Sequence, residues 1–168
     1  MEDKRIYLIA QFDGAANQKL ADMYDRLVHA GLTGEQTPDL PYHFTLGSFA
    51  LEDKDQVLDC VQTVCQKTKA FDISLNHIGL FGLRVLFIAP SVNTELLTLY
   101  NHLVPDAPIS GDHNWVAHAT ILIDNPDNIH TAIPIVAQSF SPFSAKIESI
   151  GVFEFFPKKF IAEYKLNP

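Results

Sequence analysis

One order of predicted elements occurs twice along this sequence, and that repetition constrains the fold more than any other feature. Residues 5–82 and 84–156 each read as strand, helix, loop, strand, helix and strand, from apolar periodicity and turn residues. Residues 159–166 add a closing strand. The duplication predicts a single α/β (α+β) domain over residues 1–168, with two sheet lobes about a pseudo-twofold axis and helices on the outer faces. A ligand is then expected in the central cleft.

The individual elements follow from the same periodicity. Helices are expected after Gly14, after Asp53 as a capping residue, after Asn93 or Thr94, and within 127–139, where Pro134 obscures the start. Loops rich in Gly, Pro and Asp occupy 32–41 and 105–114. The predicted strands cover 5–13, 43–51, 71–82, 84–91, 115–124, 143–156 and 159–166.

The charge of the chain limits its partners. Twelve basic and 20 acidic residues give a formal net charge of −8. Proteins that bind long nucleic acids are usually basic, so duplex binding is not expected. A small nucleotide or an RNA terminus needs only local contacts and stays compatible with this charge.

Other features of the composition indicate a cytoplasmic protein, which we expect to be monomeric. The two cysteines, Cys60 and Cys65, are five positions apart in a helical pattern, which favours reduced thiols over a disulfide. The N-terminal segment has no basic start or small-residue cleavage site of a signal peptide. No apolar run approaches the roughly 18 residues of a membrane helix, so no membrane association is expected.

A short motif, His-x-Thr followed by an apolar residue, occurs once in each half. "HFTL" begins at His43 and "HATI" begins at His118, 75 positions later. Because side chains alternate along a strand, His43 and Thr45 are expected on one face, with the intervening apolar residues in the core. The same alternation is expected to place His118 with Thr120. Facing lobes would then bring two imidazoles and two hydroxyls together.

The pair of motifs is more informative than either motif alone. The chain has 7 His and 9 Thr, and random placement would give about 0.4 His-x-Thr triplets. A single histidine on a strand is usually a structural residue, and threonine is a common strand residue. Two motifs at equivalent points of a repeat favour a functional site.

Two imidazoles and two hydroxyls can cleave a phosphodiester. One neutral histidine can take a proton from the nucleophile, and the other, as imidazolium, can protonate the leaving oxygen. Threonine hydroxyls can donate to the phosphate oxygens, where charge builds in the transition state. Such a site needs no metal and no cofactor. The alternative of a different class is a non-catalytic module that keeps the cleft and binds a nucleotide, an RNA end or a partner protein.

The paired motifs in a duplicated chain of this size resemble the two-histidine (2H) phosphoesterase superfamily, in its branch of bacterial RNA 2',3'-cyclic phosphodiesterases, or 2'-5' RNA ligase-like proteins. "YHFTLGSF", "HATILI" and the segment from His77 to Leu103 carry the resemblance. It implies a two-lobed α/β fold, a catalytic pair His43 and His118, and phosphate binding by Thr45 and Thr120. The implied reaction is the opening of a 2',3'-cyclic phosphate.

One position departs from that family pattern, and a few others are candidates for substrate contact. Bacterial relatives often have arginine three residues after the second threonine, where this chain has Ile123. Aromatic faces can stack on bases, and cations can contact phosphate, although packing and solvation are the alternative roles. The candidate substrate contacts are Tyr42, Trp115, Arg84 and Lys158. The remaining histidines lack metal-ligand spacing, apart from a weak Asp112-His113-His118 cluster, so no metal site is expected.

Overall fold

The computed structural model describes residues 4–105 and 115–168. Over these residues the chain forms seven strands and four α-helices, as the apolar periodicity of the sequence predicts. The strands are β1 (Arg5–Phe12), β2 (His43–Ala50), β3 (Phe71–Phe81), β4 (Val85–Ser91), β5 (Ala119–Ile123), β6 (Phe143–Phe155) and β7 (Lys159–Lys165). The helices are α1 (Gly14–His29), α2 (Lys54–Lys67), α3 (Thr94–Leu103) and α4 (Pro126–Ser139). The predicted mixed α/β class is confirmed. Residues 106–114 of the predicted loop 105–114 lie outside the described residues.

The strands form an antiparallel sheet in the order β2-β1-β6-β3-β4-β5, with β7 also paired to β6. Strand β6 is the junction: its residues 147–155 pair with β1, and its residues 143–147 pair with β3. The sheet therefore interleaves the two halves of the sequence. The last strand of each half pairs with a strand of the other half, an exchange that element order alone does not specify.

One face of the sheet is covered by the helices and forms the core. Along β2, Phe44 and Leu46 are 0% and 2% exposed and pack into this core, as alternation predicts. Helix α1 contributes Leu20, Met23 and Leu27 at helical spacing. Their burial fixes the register of β2, because a shift of one residue would turn Phe44 to solvent. The opposite face of β2 is left for polar side chains.

Strand β5 is shorter than the predicted strand 115–124, and this corrects the expected position of His118. The β4–β5 ladder pairs Ile88 with Ala119 and ends there. Pro90, two residues further along β4, has no N–H to extend it. His118 therefore lies one residue before β5 rather than inside a strand.

Helix starts follow the sequence signals with one difference. The side chain of Asn93 caps α3 by accepting from the Leu96 amide at 3.0 Å. Asp53 occupies the capping position of α2, but its side chain makes no capping bond, because a 3₁₀ turn leads into this helix. Helix α4 begins at Pro126, after the cap Asn125, and runs through Pro134.

Both cysteines are free thiols. Burial in the core raises the pKa of Cys65 to about 12, so this thiol stays protonated at neutral pH. Within the described ranges, no helix is both long and apolar enough to cross a membrane.

We predict that Gly79→Ala destabilises the protein by about 1–3 kcal/mol, because a methyl group there collides with the buried ring of Phe87. A Cβ on Gly79 would lie 2.2 Å from the ring of Phe87, which is 5% exposed and cannot move freely. Gly14→Ala is the matched control, since nothing lies within 4 Å of its Cβ position. Urea unfolding of both variants measures the difference. Equal unfolding free energies for the two variants would contradict the close packing of β3 on Phe87.

Candidate active site

The first motif lies on β2, with its polar side chains on the face opposite the core. His43 and Thr45 are half-buried and alternate with the buried Phe44 and Leu46. Strand β1 pairs with this stretch, and Ile9 lies opposite Thr45. Pairing on a sheet edge thus fixes the backbone of both polar residues.

The second motif reaches the same region from β5. Thr120 lies on the strand opposite Phe87, while His118 precedes the first strand residue. Both side chains are half-buried. Their positions depend on β4, the central partner of β5.

Two adjoining cavities bring the motif side chains together. A cleft of about 730 Å³ is lined by His43, Thr45 and Thr120. A neighbouring cavity of about 510 Å³ is lined by Thr45 and His118. The two cavities share Thr45 and Tyr7 as lining residues. Thr45 therefore lines both the cleft that holds His43 and the cavity that holds His118.

The two imidazoles are anchored in the same way. Nδ1 of His43 donates to the Pro41 carbonyl oxygen at 2.6 Å, and Nδ1 of His118 donates to the Val116 carbonyl oxygen at 2.7 Å. A carbonyl oxygen only accepts, so Nδ1 carries a proton in both rings. Nε2 is then the atom that each ring has available for proton transfer. The two repeats thus have the same histidine tautomer, with the proton on Nδ1.

The environments of the two rings nevertheless differ. Burial lowers the pKa of His43, and the charge of His118 lowers it further, while the hydrogen bond to Pro41 partly opposes both effects. His43 is therefore neutral at neutral pH.

His118 is held by two phenylalanine rings. Phe81, at the end of β3, meets it edge to face with ring centroids 4.7 Å apart, and Phe87 lies at 5.2 Å. The two phenylalanines also contact each other at 4.5 Å. The sequence analysis singled out neither residue, although Phe81 lies near the end of the predicted strand 71–82.

Trp115 joins the two motifs. Its indole Nε1 donates to the carbonyl oxygen of Thr45 at 3.0 Å, and its ring stacks on Tyr100 at 4.0 Å. It also lines the cavity that holds His118. With one face covered by Tyr100 and its donor occupied, Trp115 positions the two motifs relative to each other. Its proposed contact with substrate stays a prediction.

Residues 33–41, which we call the strap, form one wall of the cleft. The Glu35 amide donates to the Ile123 carbonyl at 2.7 Å, and the Ile123 amide donates to the Gln36 side chain at 3.1 Å. Gly34 allows this approach, because its φ is +71° and a Cβ would lie 2.8 Å from the Ile123 carbonyl oxygen. The strap is thereby fixed to the end of β5, and Ile123 lines the cleft.

Two candidate substrate contacts hold the strap instead of pointing freely into the cleft. Arg84 forms an ion pair with Glu35 at 3.2 Å. The Nζ of Lys158 donates to the carbonyls of Pro38 and Asp39 at 2.8 and 2.9 Å. Neither contact could be predicted from local sequence patterns, because each joins residues at least 49 positions apart.

Tyr42 does line the cleft. Its backbone amide donates to the Asn17 side chain at 3.0 Å, and burial raises the pKa of its phenol to about 12, helped by Tyr24 and Asp25. The phenol is therefore a neutral group at physiological pH. Whether Tyr42 contacts a substrate stays a prediction.

Over residues 4–105 and 115–168, no three His, Cys, Asp or Glu side chains are grouped to hold a metal ion. Asp112 and His113, the two other members of the weak cluster noted in the sequence, lie outside the described residues.

Comparisons with known proteins agree with the fold. The family model of the 2'-5' RNA ligase superfamily matches residues 17–155. No curated protein sequence matches the chain significantly. Among solved structures, apo E. coli LigT superposes with a TM-score of 0.67 at 16% identity, covering 100% of both chains. TT0787 of Thermus thermophilus gives 0.69 at 15% identity, covering 96% of this chain and 97% of that one. A structure described as a phosphoesterase gives 0.64 at 17% identity, covering 99% and 100%.

We predict that Trp115→Phe lowers the unfolding free energy by about 1 kcal/mol, since the Thr45 carbonyl loses its donor while the stack on Tyr100 remains. Val116→Ala is the control, because Val116 is 44% exposed and its side chain should contribute little. Thermal and urea unfolding give both values. A Trp115→Phe protein as stable as the control would mean that the indole bond does not hold the motifs together.

Proposed function

Because this chain belongs to the 2'-5' RNA ligase superfamily, we propose that it is a metal-independent phosphodiesterase that opens a 2',3'-cyclic phosphate. The single observation that carries this proposal is the matched anchoring of His43 and His118. Each ring holds its Nδ1 proton on a carbonyl two residues upstream and leaves Nε2 available. Because Thr45 lines the cavities of both histidines, two such atoms suit proton transfer to and from one phosphate.

The different environments of the rings assign their roles in this proposal. His43, with its lowered pKa, is neutral and acts as the general base. Its Nε2 takes a proton from the attacking water as the new P–O bond forms. His118, whose ring contacts Phe81 and Phe87, is the general acid in this proposal and acts in its protonated form. Its Nε2 gives a proton to the 3' oxygen as the P–O3' bond breaks, which leaves a 2'-phosphate.

The threonines supply the remaining interaction. Thr45 and Thr120 both line the cleft beside His43. Their hydroxyls can donate to the non-bridging oxygens, where negative charge grows in the transition state. Because these donors sit on paired strands, they need little reorganisation during the reaction.

The size of the cleft supports a nucleotide or an RNA terminus as substrate. A volume of about 730 Å³ suits a ligand of nucleotide size. Crystals of E. coli LigT hold 3'-AMP, ATP and NADP+, three phosphate-bearing nucleotides. That likeness supports a nucleotide ligand here.

We expect His43→Ala and His118→Ala each to lower kcat on nucleoside 2',3'-cyclic phosphates by roughly 10²–10⁴-fold, the usual contribution of general acid–base groups. The wild-type rate should persist in EDTA. The assay separates the 2'- and 3'-phosphate products by chromatography. His130→Ala is the matched control, since His130 is an exposed residue of α4.

Two results would contradict the proposal. Wild-type rates in both histidine variants would exclude the acid–base pair. Binding of the cyclic nucleotide without turnover would favour a non-catalytic binding module.

The pH dependence gives a separate prediction. His43 must be neutral to accept a proton, and its pKa lies below the ordinary value of 6.5. As pH falls, His43 becomes protonated only below that lowered pKa, so the acidic limb of kcat/KM should lie below pH 6.5. Imidazole NMR titration should give the same low pKa, and His118→Gln should raise it by removing a positive charge. An acidic limb above 6.5 that follows His43 in the titration would reverse the assigned roles.

A further inference from the structure

Three aromatic side chains form part of the cleft wall. Tyr7 and Phe155 meet edge to face with centroids 5.3 Å apart, and Phe156 contacts Phe155 at 5.1 Å. All three line the cleft, and Phe156 is 57% exposed. Of the described residues that line this cleft, none is lysine or arginine. Such walls suit a planar base or a sugar better than a second phosphate.

Three cations bond to the strap or to a residue that lines the adjoining cavity. Arg84 is paired with Glu35, and Lys158 donates to two strap carbonyls. Arg5 donates to the side chain and carbonyl of Ser48 at 3.1 and 3.2 Å. These three positive side chains therefore hold protein groups in place and are already bonded, rather than free to contact a ligand.

The charge balance beyond these cations is negative. Asp39 of the strap lines the cleft. The chain as a whole has a formal charge of −8. A ligand with several negative charges would therefore meet repulsion without a compensating cation.

We propose that the substrate is a nucleoside 2',3'-cyclic phosphate whose only phosphate is the reacting one. This inference rests on the proposed function. A cyclic phosphodiester carries one negative charge, which the His118 imidazolium and the two threonine hydroxyls can balance. A 5'-phosphate, or the next phosphate of an RNA chain, adds charge that the described walls leave unpaired. The base lies against Phe155 and Phe156.

The test uses two substrates that differ by one group. Adenosine 2',3'-cyclic phosphate with a free 5'-hydroxyl is compared with the same molecule bearing a 5'-phosphate, at low and at high salt. An oligoribonucleotide with a 2',3'-cyclic end is the third substrate. We expect kcat/KM for the 5'-hydroxyl substrate to exceed both others by roughly tenfold or more at low salt, since unpaired like charges disfavour binding. Salt should reduce this difference.

A variant with a new cation in the cleft should change the preference. Ile123 lines the cleft, so Ile123→Arg should raise kcat/KM for the 5'-phosphorylated substrate by about tenfold relative to the 5'-hydroxyl one, through a charge-assisted hydrogen bond. Val92→Arg adds the same charge at a residue that is 46% exposed and outside the cleft lining, and it should leave the ratio unchanged. If Ile123→Arg fails to fold, Asp39→Asn is the second variant. It removes a negative charge from the cleft, and asparagine tolerates the φ of +54° at this position. It should also raise kcat/KM for the 5'-phosphorylated substrate relative to the 5'-hydroxyl one.

The outcomes separate this inference from the function on which it rests. Turnover of the 5'-phosphorylated or oligomeric substrate at an equal or higher kcat/KM would overturn the inference and leave the phosphodiesterase proposal intact. No turnover of any of the three would overturn the proposed function, and this inference with it. A preference for the 5'-hydroxyl substrate that is relaxed by Ile123→Arg or Asp39→Asn, but not by Val92→Arg, supports both.

Discussion

The pairing of β6 with both β1 and β3 holds the molecule together. One continuous strand of 13 residues forms ladders with the two halves of the sheet, so neither half can shift without breaking backbone hydrogen bonds. The cleft depends on this strand, because each motif belongs to a different half. The bond from Trp115 to the Thr45 carbonyl adds a direct tie between the motifs. Neither repeat alone therefore forms the site, which depends on strands of both halves pairing within one sheet.

Much of the fold was predictable, because local patterns determine local structure. Phe44 and Leu46 turn into the core by alternation, and this places His43 and Thr45 on the opposite face. Asn93 caps its helix as its sequence position indicates. The paired motifs predict a shared cleft; His43, Thr45 and Thr120 line one cleft, while His118 lines the adjoining cavity.

The features that escaped prediction all depend on contacts distant in sequence. Residue spacing carries no signal that Lys158 bonds the strap or that Phe81 flanks His118. The exchange of strands between the halves is equally invisible, because an antiparallel pair can form between any two strands of suitable pattern. Local alternation also misplaced His118, since the β4–β5 ladder ends one residue after it, at Ala119.

The shared anchoring of both imidazoles has a consequence for the proton cycle of the proposed reaction. With Nδ1 fixed on a carbonyl, neither ring can conduct a proton from one of its nitrogens to the other. Each turnover leaves His43 charged and His118 neutral, the reverse of the starting state. Only water or buffer that enters the cleft at Nε2 can restore it. The starting protonation states are then restored when the product leaves and water or buffer enters. Before that exchange, with His43 charged and His118 neutral, the site has the protonation states needed for the reverse reaction, closure of the cyclic phosphate.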